Sequence, residues 1–137
     1  MKIGFAFAAL GLGAFATTAA LSLTATAEEP LEKRVVVEAK LDAKAGKASI
    51  VLKGIDGAYI NKDFPIKCDV TIAEGGKLEK AQLTKADAKF EDAGKEGKAK
   101  SASFSVGADK SISGECKLVA CSDSSCSSPF KLPFKSN

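Results

Sequence analysis

Apolar and polar residues alternate one by one along most of the chain after residue 34. In the first such run, Val35, Val37, Ala39 and Leu41 share one face. Six further runs show the same alternation: KASIVLKG (47–54), IKCDVTI (66–72), ADAKFE (86–91), SASFSV (101–106), SISGECKLVAC (111–121) and FKLPFK (130–135). Alternation with a period of two over short runs is typical of strands that bury one face.

Turn-forming sequences separate these runs, among them AKAGK, EGGK and GADKS. Seven or eight short strands at this spacing predict an all-β fold, an antiparallel β-sandwich of immunoglobulin-like type. The charged segment EDAGKEGKAK (91–100) is predicted to be a mobile hairpin loop. Only residues 78–93 are compatible with a turn or two of helix. Because Pro133 lacks an N–H for a sheet ladder, the last strand is predicted to lie at a sheet edge.

Residues 1–27 have the composition of a cleaved signal peptide. Lys2 supplies a positive charge, residues 3–23 are apolar and small, and Ala25-Thr26-Ala27 fits a signal-peptidase site before Glu28. A single transmembrane anchor is the alternative, which the richness in Ala, Gly and Thr disfavours. The sequence thus predicts one domain, residues 28–137, that is periplasmic or secreted.

Composition limits the chemistry that this domain can perform. The chain of 137 residues has a net charge of +3 and no histidine. This near-balance gives no support for nucleic-acid binding, and mechanisms that need a histidine base are unavailable. The sequence also lacks a glycine-rich phosphate loop. We therefore predict no nucleic-acid partner, no small-molecule cofactor and no metal.

Two of the four cysteines fall on apolar strand faces. Cys68 shares its face with Ile66 and Val70, and Cys116 shares its face with Ile112 and Leu118. Facing strands of a sandwich would bring such residues together, so we predict a buried structural disulfide, Cys68–Cys116, between the two sheets. Because this disulfide would close a long loop, we expect it to stabilise the fold more than the short-range disulfide described next.

The other two cysteines bracket a short polar turn. By parity, Cys121 shares the polar face with Glu115 and Lys117, and Cys126 follows after four small polar residues. A short antiparallel turn allows these two to bond. This disulfide would be exposed and the more easily reduced, so Cys121 and Cys126 are the candidate catalytic pair for thiol–disulfide exchange.

Alternatives stay open at this point. The hairpin disulfide has a purely structural interpretation, four cysteines allow other pairings such as Cys68–Cys121, and a four-cysteine zinc site lacks only the usual paired spacing. Asp123 in the turn would disfavour a thiolate, whereas Lys117 and Lys131 would favour one.

The segment AYINKDFPIK (58–67) has two structural interpretations. Tyr59, Phe64 and Pro65 would line a binding surface or, as we favour, form the turn into the next strand.

Residues 57–72 (GAYINKDFPIKCDVTI) and 116–134 (CKLVACSDSSCSSPFKLPF) together resemble the amino-terminal periplasmic domain of the thiol:disulfide interchange protein DsbD, the disulphide bond corrector domain family. The resemblance spans Leu31 to Phe134. It implies an immunoglobulin-like sandwich with Cys121 and Cys126 as the redox pair. It also implies two partners, a membrane-embedded electron donor and periplasmic thioredoxin-like proteins.

Overall fold

The computed structural model describes residues 29–137 and shows two antiparallel sheets packed face to face. The predicted signal peptide and its cleavage point before Glu28 lie outside the described residues. Within residues 29–137, no helix is long and apolar enough to cross a membrane. The described chain confirms the predicted all-β sandwich.

The first sheet contains six strands, which run in the order β1-β2-β7-β3-β9, with β6 paired to β7. These strands are β1 (Val35–Asp42), β2 (Lys47–Gly54), β3 (Tyr59–Asn61), β6 (Lys89–Lys95), β7 (Lys98–Gly107) and β9 (Ala120–Cys121).

The second sheet contains four strands in the order β10-β8-β4-β5. These strands are β4 (Lys67–Ile72), β5 (Gln82–Thr84), β8 (Ile112–Leu118) and β10 (Phe130–Lys135). The predicted edge position of the last strand is confirmed, because β10 with its Pro133 lies at one end of this order.

The core lies between the sheets and consists largely of residues that alternation placed on apolar faces. Within the first sheet, β2 and β7 bury alternate side chains against the second sheet: Ala48, Ile50, Leu52, Ala102, Phe104 and Val106. The second sheet contributes, among others, Val70, Leu83, Ile112 and Leu118, and Ile66 is buried just before β4. Burying a side chain of this size contributes roughly 1.5–3 kcal/mol, so these rows supply most of the driving force for folding.

The strand inventory differs from the prediction in two places. Residues 29–137 form ten strands, three more than the alternating runs, because the short strands β3, β5 and β9 carry too few residues for a visible alternation. Strands β6 and β7 also run through residues 91–100, leaving only Glu96-Gly97 as the turn. In the stretch compatible with helix, residues 78–93, only the 3₁₀ helix Lys85–Asp87 forms. The other 3₁₀ helix is Leu31–Arg34.

The chain changes sheets between β8 and β9. Strand β8 ends at Leu118 in the second sheet, and β9 begins at Ala120 in the first, paired with β3. All four residues from Leu118 to Cys121 are buried. Alternation therefore stops at Val119, because the crossing segment is covered on all sides.

Candidate redox site at the cysteine hairpin

All four cysteines are paired, as Cys68–Cys116 and Cys121–Cys126. The alternative pairing of Cys68 with Cys121 is therefore wrong for this structure. A four-cysteine zinc site is not formed, since every candidate ligand is engaged in a disulfide. Among residues 29–137, no cluster of three or more His, Cys, Asp or Glu is arranged to hold a metal ion.

The Cys68–Cys116 disulfide joins two neighbouring strands of one sheet. Cys68 in β4 lies directly opposite Cys116 in β8, and neither residue is exposed. The predicted location between the two sheets is wrong. The apolar parity of both residues gives the face on which each side chain lies, but it does not tell which sheet each strand joins.

The Cys121–Cys126 disulfide closes a tight hairpin at the end of β9. The amide of Ser127 donates to the carbonyl of Ala120 at 2.7 Å, and the amide of Ser122 donates to the carbonyl of Ser125 at 2.7 Å. The Ala120 amide donates to Ser127 Oγ at 3.1 Å. These bonds lie on both sides of the Cys121–Cys126 pair. Backbone hydrogen bonds thus tie the two arms of the hairpin together in addition to the sulfur–sulfur bond.

The turn itself is fixed by a serine. Ser122 Oγ accepts hydrogen bonds from the amides of Ser124 and Ser125, at 3.2 and 3.1 Å. A hydroxyl that bonds backbone amides two and three residues ahead is a recognised way to stabilise a turn. The run of small polar residues between the two cysteines therefore has a local structural reason.

The two sulfur-bearing residues differ in accessibility. Cys121 is only 1% exposed, whereas Cys126 is exposed at the hairpin surface. The prediction that Cys121 shares a polar face with Glu115 and Lys117 is wrong: those two residues lie in β8 of the second sheet, whereas Cys121 is buried in the first sheet, opposite Tyr59. Cys126 is the residue that a reacting partner reaches first.

Tyr59 and the turn between β6 and β7 border the hairpin. Tyr59 in β3 lies directly opposite Cys121, so the two side chains share a face of the sheet. The amide of Lys62 donates to the carbonyl of Gly97 at 2.8 Å, which fixes the Glu96-Gly97 turn beside the residues that follow β3.

Lys95 connects these elements. Its Nζ lies 5.1 Å from the centroid of the Tyr59 ring and forms an ion pair with Asp123 at the hairpin tip. The hydrogen bond to Asp123, followed by one to Tyr59, raises the pKa of Lys95 above its ordinary value. The same hydrogen bond from Lys95 holds the pKa of Asp123 below its ordinary value.

The two lysines predicted to influence this turn, Lys117 and Lys131, are not the ones that act on Asp123. Lys117 and Lys131 lie opposite each other in the second sheet, and Lys131 pairs with Glu115 at 3.3 Å. Lys95 is 28 residues from Asp123 and lies within residues 91–100, for which the sequence predicts a loop. No local pattern marks it, since the contact depends on how β6 and β9 are placed in the first sheet.

In the AYINKDFPIK segment, some residues form the predicted turn and Tyr59 borders the candidate site. Phe64 is partly buried against the core and Pro65 is exposed in the turn that leads to β4. Asn61 Oδ1 accepts hydrogen bonds from the amides of Asp63 and Phe64, at 2.8 and 3.3 Å, which shapes that turn. Tyr59, by contrast, belongs to the candidate site.

Fold and site together define a disulfide-stapled, all-β sandwich domain. In comparisons with known proteins, no family model, no curated protein and no solved structure matches this chain.

Proposed function

We propose that this protein is a thiol–disulfide exchange domain that works through Cys121 and Cys126. One observation carries the proposal: a disulfide with one exposed cysteine closes a hairpin that its own backbone hydrogen bonds hold. Opening that disulfide leaves those hydrogen bonds in place. Such a pair can cycle between oxidised and reduced forms without unfolding the domain. The second disulfide, buried in its sheet, provides the stable frame.

The exchange has two balanced steps. A thiolate of a partner dithiol attacks Cys126 Sγ, the Cys121–Cys126 bond breaks, and its electron pair leaves on Cys121 Sγ. The partner's second thiolate then attacks the sulfur of the partner's first cysteine in the mixed disulfide, and Cys126 is released as a thiolate. The partner ends as a disulfide, and the two domain thiolates take up two protons from water. In the reverse direction, the domain reduces a partner disulfide.

The partners we propose follow the resemblance to the DsbD amino-terminal domain. A membrane-embedded donor would supply the electrons, and periplasmic thioredoxin-like proteins would receive them. The exposed hairpin tip of serines and Asp123 supports this, because it leaves Cys126 open to a large partner. A stapled sandwich with no exchange activity is the competing function.

Trapping of mixed disulfides tests the proposal. Cys121→Ala leaves Cys126 as the single thiol of the pair, and Cys126→Ala leaves Cys121. Each purified, reduced variant is incubated with a thioredoxin-type protein that lacks its resolving cysteine and whose remaining active-site cysteine carries a thionitrobenzoate leaving group, which departs when the adduct forms. We expect a covalent adduct with Cys121→Ala within minutes, and at least tenfold less with Cys126→Ala, because Cys121 is buried.

The matched pair of variants makes the result decisive. Circular dichroism verifies that both variants remain folded. Equal trapping by both would contradict the role assigned to Cys126, and trapping by neither would leave the competing structural function as the correct one.

A further inference from the structure

The contacts of Lys95 with Asp123 and Tyr59 are not explained by a contribution to folding stability. Lys95 lies at the end of edge strand β6, where two register shifts interrupt the pairing with β7. Its side chain and that of Asp123 are 44% and 69% exposed. Ion pairs this exposed contribute little to folding. The contacts with Asp123 and Tyr59 nevertheless fix this ammonium beside the reactive hairpin.

The charge of Asp123 opposes the exchange reaction. Asp123 lies two residues after Cys121 and three before Cys126. An attacking thiolate brings a negative charge to this turn, and the transition state spreads that charge over three sulfurs. A nearby carboxylate raises the energy of this state, and a cation beside the carboxylate offsets the effect.

We propose that Lys95 is a positioning residue for the redox pair: it neutralises Asp123 so that an anionic thiol can attack Cys126. This inference rests on the proposed exchange function. The Tyr59 ring holds the ammonium in place, because a cation within about 6 Å of an aromatic centroid is attracted to its face. Three elements, the end of β6, strand β3 and the cysteine hairpin, thereby converge on one charge.

An opposing physical model makes a different prediction. If the Lys95–Asp123 pair acts only as a restraint that closes the hairpin, then Lys95→Gln, Asp123→Asn and the double variant will all speed opening. If the pair acts through charge, the two single variants will change the rate in opposite directions. The sign of each effect therefore separates the two models.

The test is the rate at which dithiothreitol reduces Cys121–Cys126 in the folded domain at pH 7. Samples are quenched by alkylation and the modified cysteines are mapped by mass spectrometry. We expect Lys95→Gln to slow the reaction about two- to fivefold, and Asp123→Asn to speed it by a similar factor, from the Coulomb energy of one charge at this range in water-like surroundings. The double variant should react at nearly the wild-type rate.

Three controls sharpen the comparison. Lys95→Arg keeps the charge and should restore the wild-type rate. Lys89→Gln removes the same charge from the other end of β6, and it should leave the rate within a factor of about 1.5 because of screening over that distance. In about 1 M salt, where the Debye length is about 3 Å, the difference between Lys95→Gln and wild type should largely vanish.

The outcomes distinguish this inference from the function on which it rests. Faster opening in both single variants, or an unchanged rate in Lys95→Gln, would overturn the role of Lys95 and leave exchange intact. If the wild-type pair opens only when the domain unfolds, both the exchange function and the role of Lys95 are lost.

Discussion

Two carboxylates, Asp87 and Asp123, are held in their charged form by neighbouring lysines. Lys80 Nζ donates to both oxygens of Asp87, at 2.8 and 2.9 Å, and this bond holds the pKa of Asp87 below its ordinary value. Lys95 does the same for Asp123. A lowered native pKa stabilises the fold above the ordinary range of Asp, and this contribution is lost as the pH falls through the native value.

The pH dependence of stability should therefore change when these residues lose their charge. We expect wild type to lose stability between about pH 5 and pH 2, and the double variant Asp87→Asn/Asp123→Asn to lose less over the same interval. Urea unfolding midpoints at several pH values measure this. Glu74→Gln, which removes an exposed carboxylate that forms no ion pair among the described residues, is the control. A double variant that follows the wild-type pH curve would contradict the two pairings.

At the scale of single residues, the sequence shows which side chains carry a charge but not which residue each of them pairs with. Asp123 was recognisable as an acidic group between the cysteines. Its cation was not, because Lys95 reaches it only through the placement of β6 beside the hairpin. The burial of Cys121 could not be predicted from alternation either, since Cys121 lies in a two-residue strand paired with β3.

At the scale of elements, β8 approaches β4 so closely that one position requires glycine. A Cβ on Gly114 would lie 1.9 Å from the carbonyl oxygen of Asp69 in β4, and the φ of Gly114 is +154°. Backbone on a paired strand cannot move aside without breaking the ladder around Cys68–Cys116. Strand β8 thus depends on Gly114 for its pairing with β4.

Gly114→Ala should cost about 2–4 kcal/mol of unfolding free energy through strain and overpacking. Gly94→Ala is the matched control, because Gly94 has a φ of +78° but nothing within 4 Å of its Cβ position. That variant should cost only about 1 kcal/mol. Chemical denaturation measures both, and equal losses would contradict the close approach of β8 to β4.

Alternation predicted the long strands well because each buries one face only. Strands β1, β2, β4 and β10 follow it residue by residue, and β7 does so from Ser101 onward. Alternation failed to predict burial where the chain is buried on both faces. The segment 118–121 crosses between sheets and is buried throughout, so counting parity from Cys116 to Cys121 did not reveal that Cys121 is buried.

At the scale of the whole molecule, the two disulfides differ in how much chain they restrain. Cys68–Cys116 spans 48 residues and Cys121–Cys126 spans 5. In the chain-entropy model these loops correspond to about 4 and about 2 kcal/mol. The long cross-link also fills the core, so its removal leaves a cavity as well.

Paired alanine variants test this division. Cys68→Ala/Cys116→Ala should lower the unfolding free energy by about 4 kcal/mol or more, and Cys121→Ala/Cys126→Ala by about 2 kcal/mol or less. Thermal and urea unfolding under oxidising conditions measure both. An equal loss, or a larger loss from the hairpin pair, would contradict the assignment of Cys68–Cys116 as the main staple.

The order in which the two disulfides open tests the central claim most directly. The purified domain is equilibrated in graded glutathione or dithiothreitol buffers, then alkylated and mapped by mass spectrometry, with circular dichroism recorded at each step. Exchange proteins have potentials of about −120 to −270 mV, and structural disulfides usually lie below about −300 mV. We predict that Cys121–Cys126 opens within the first range in a folded domain while Cys68–Cys116 stays closed. Reduction of both pairs together, and only as the fold is lost, would contradict the account.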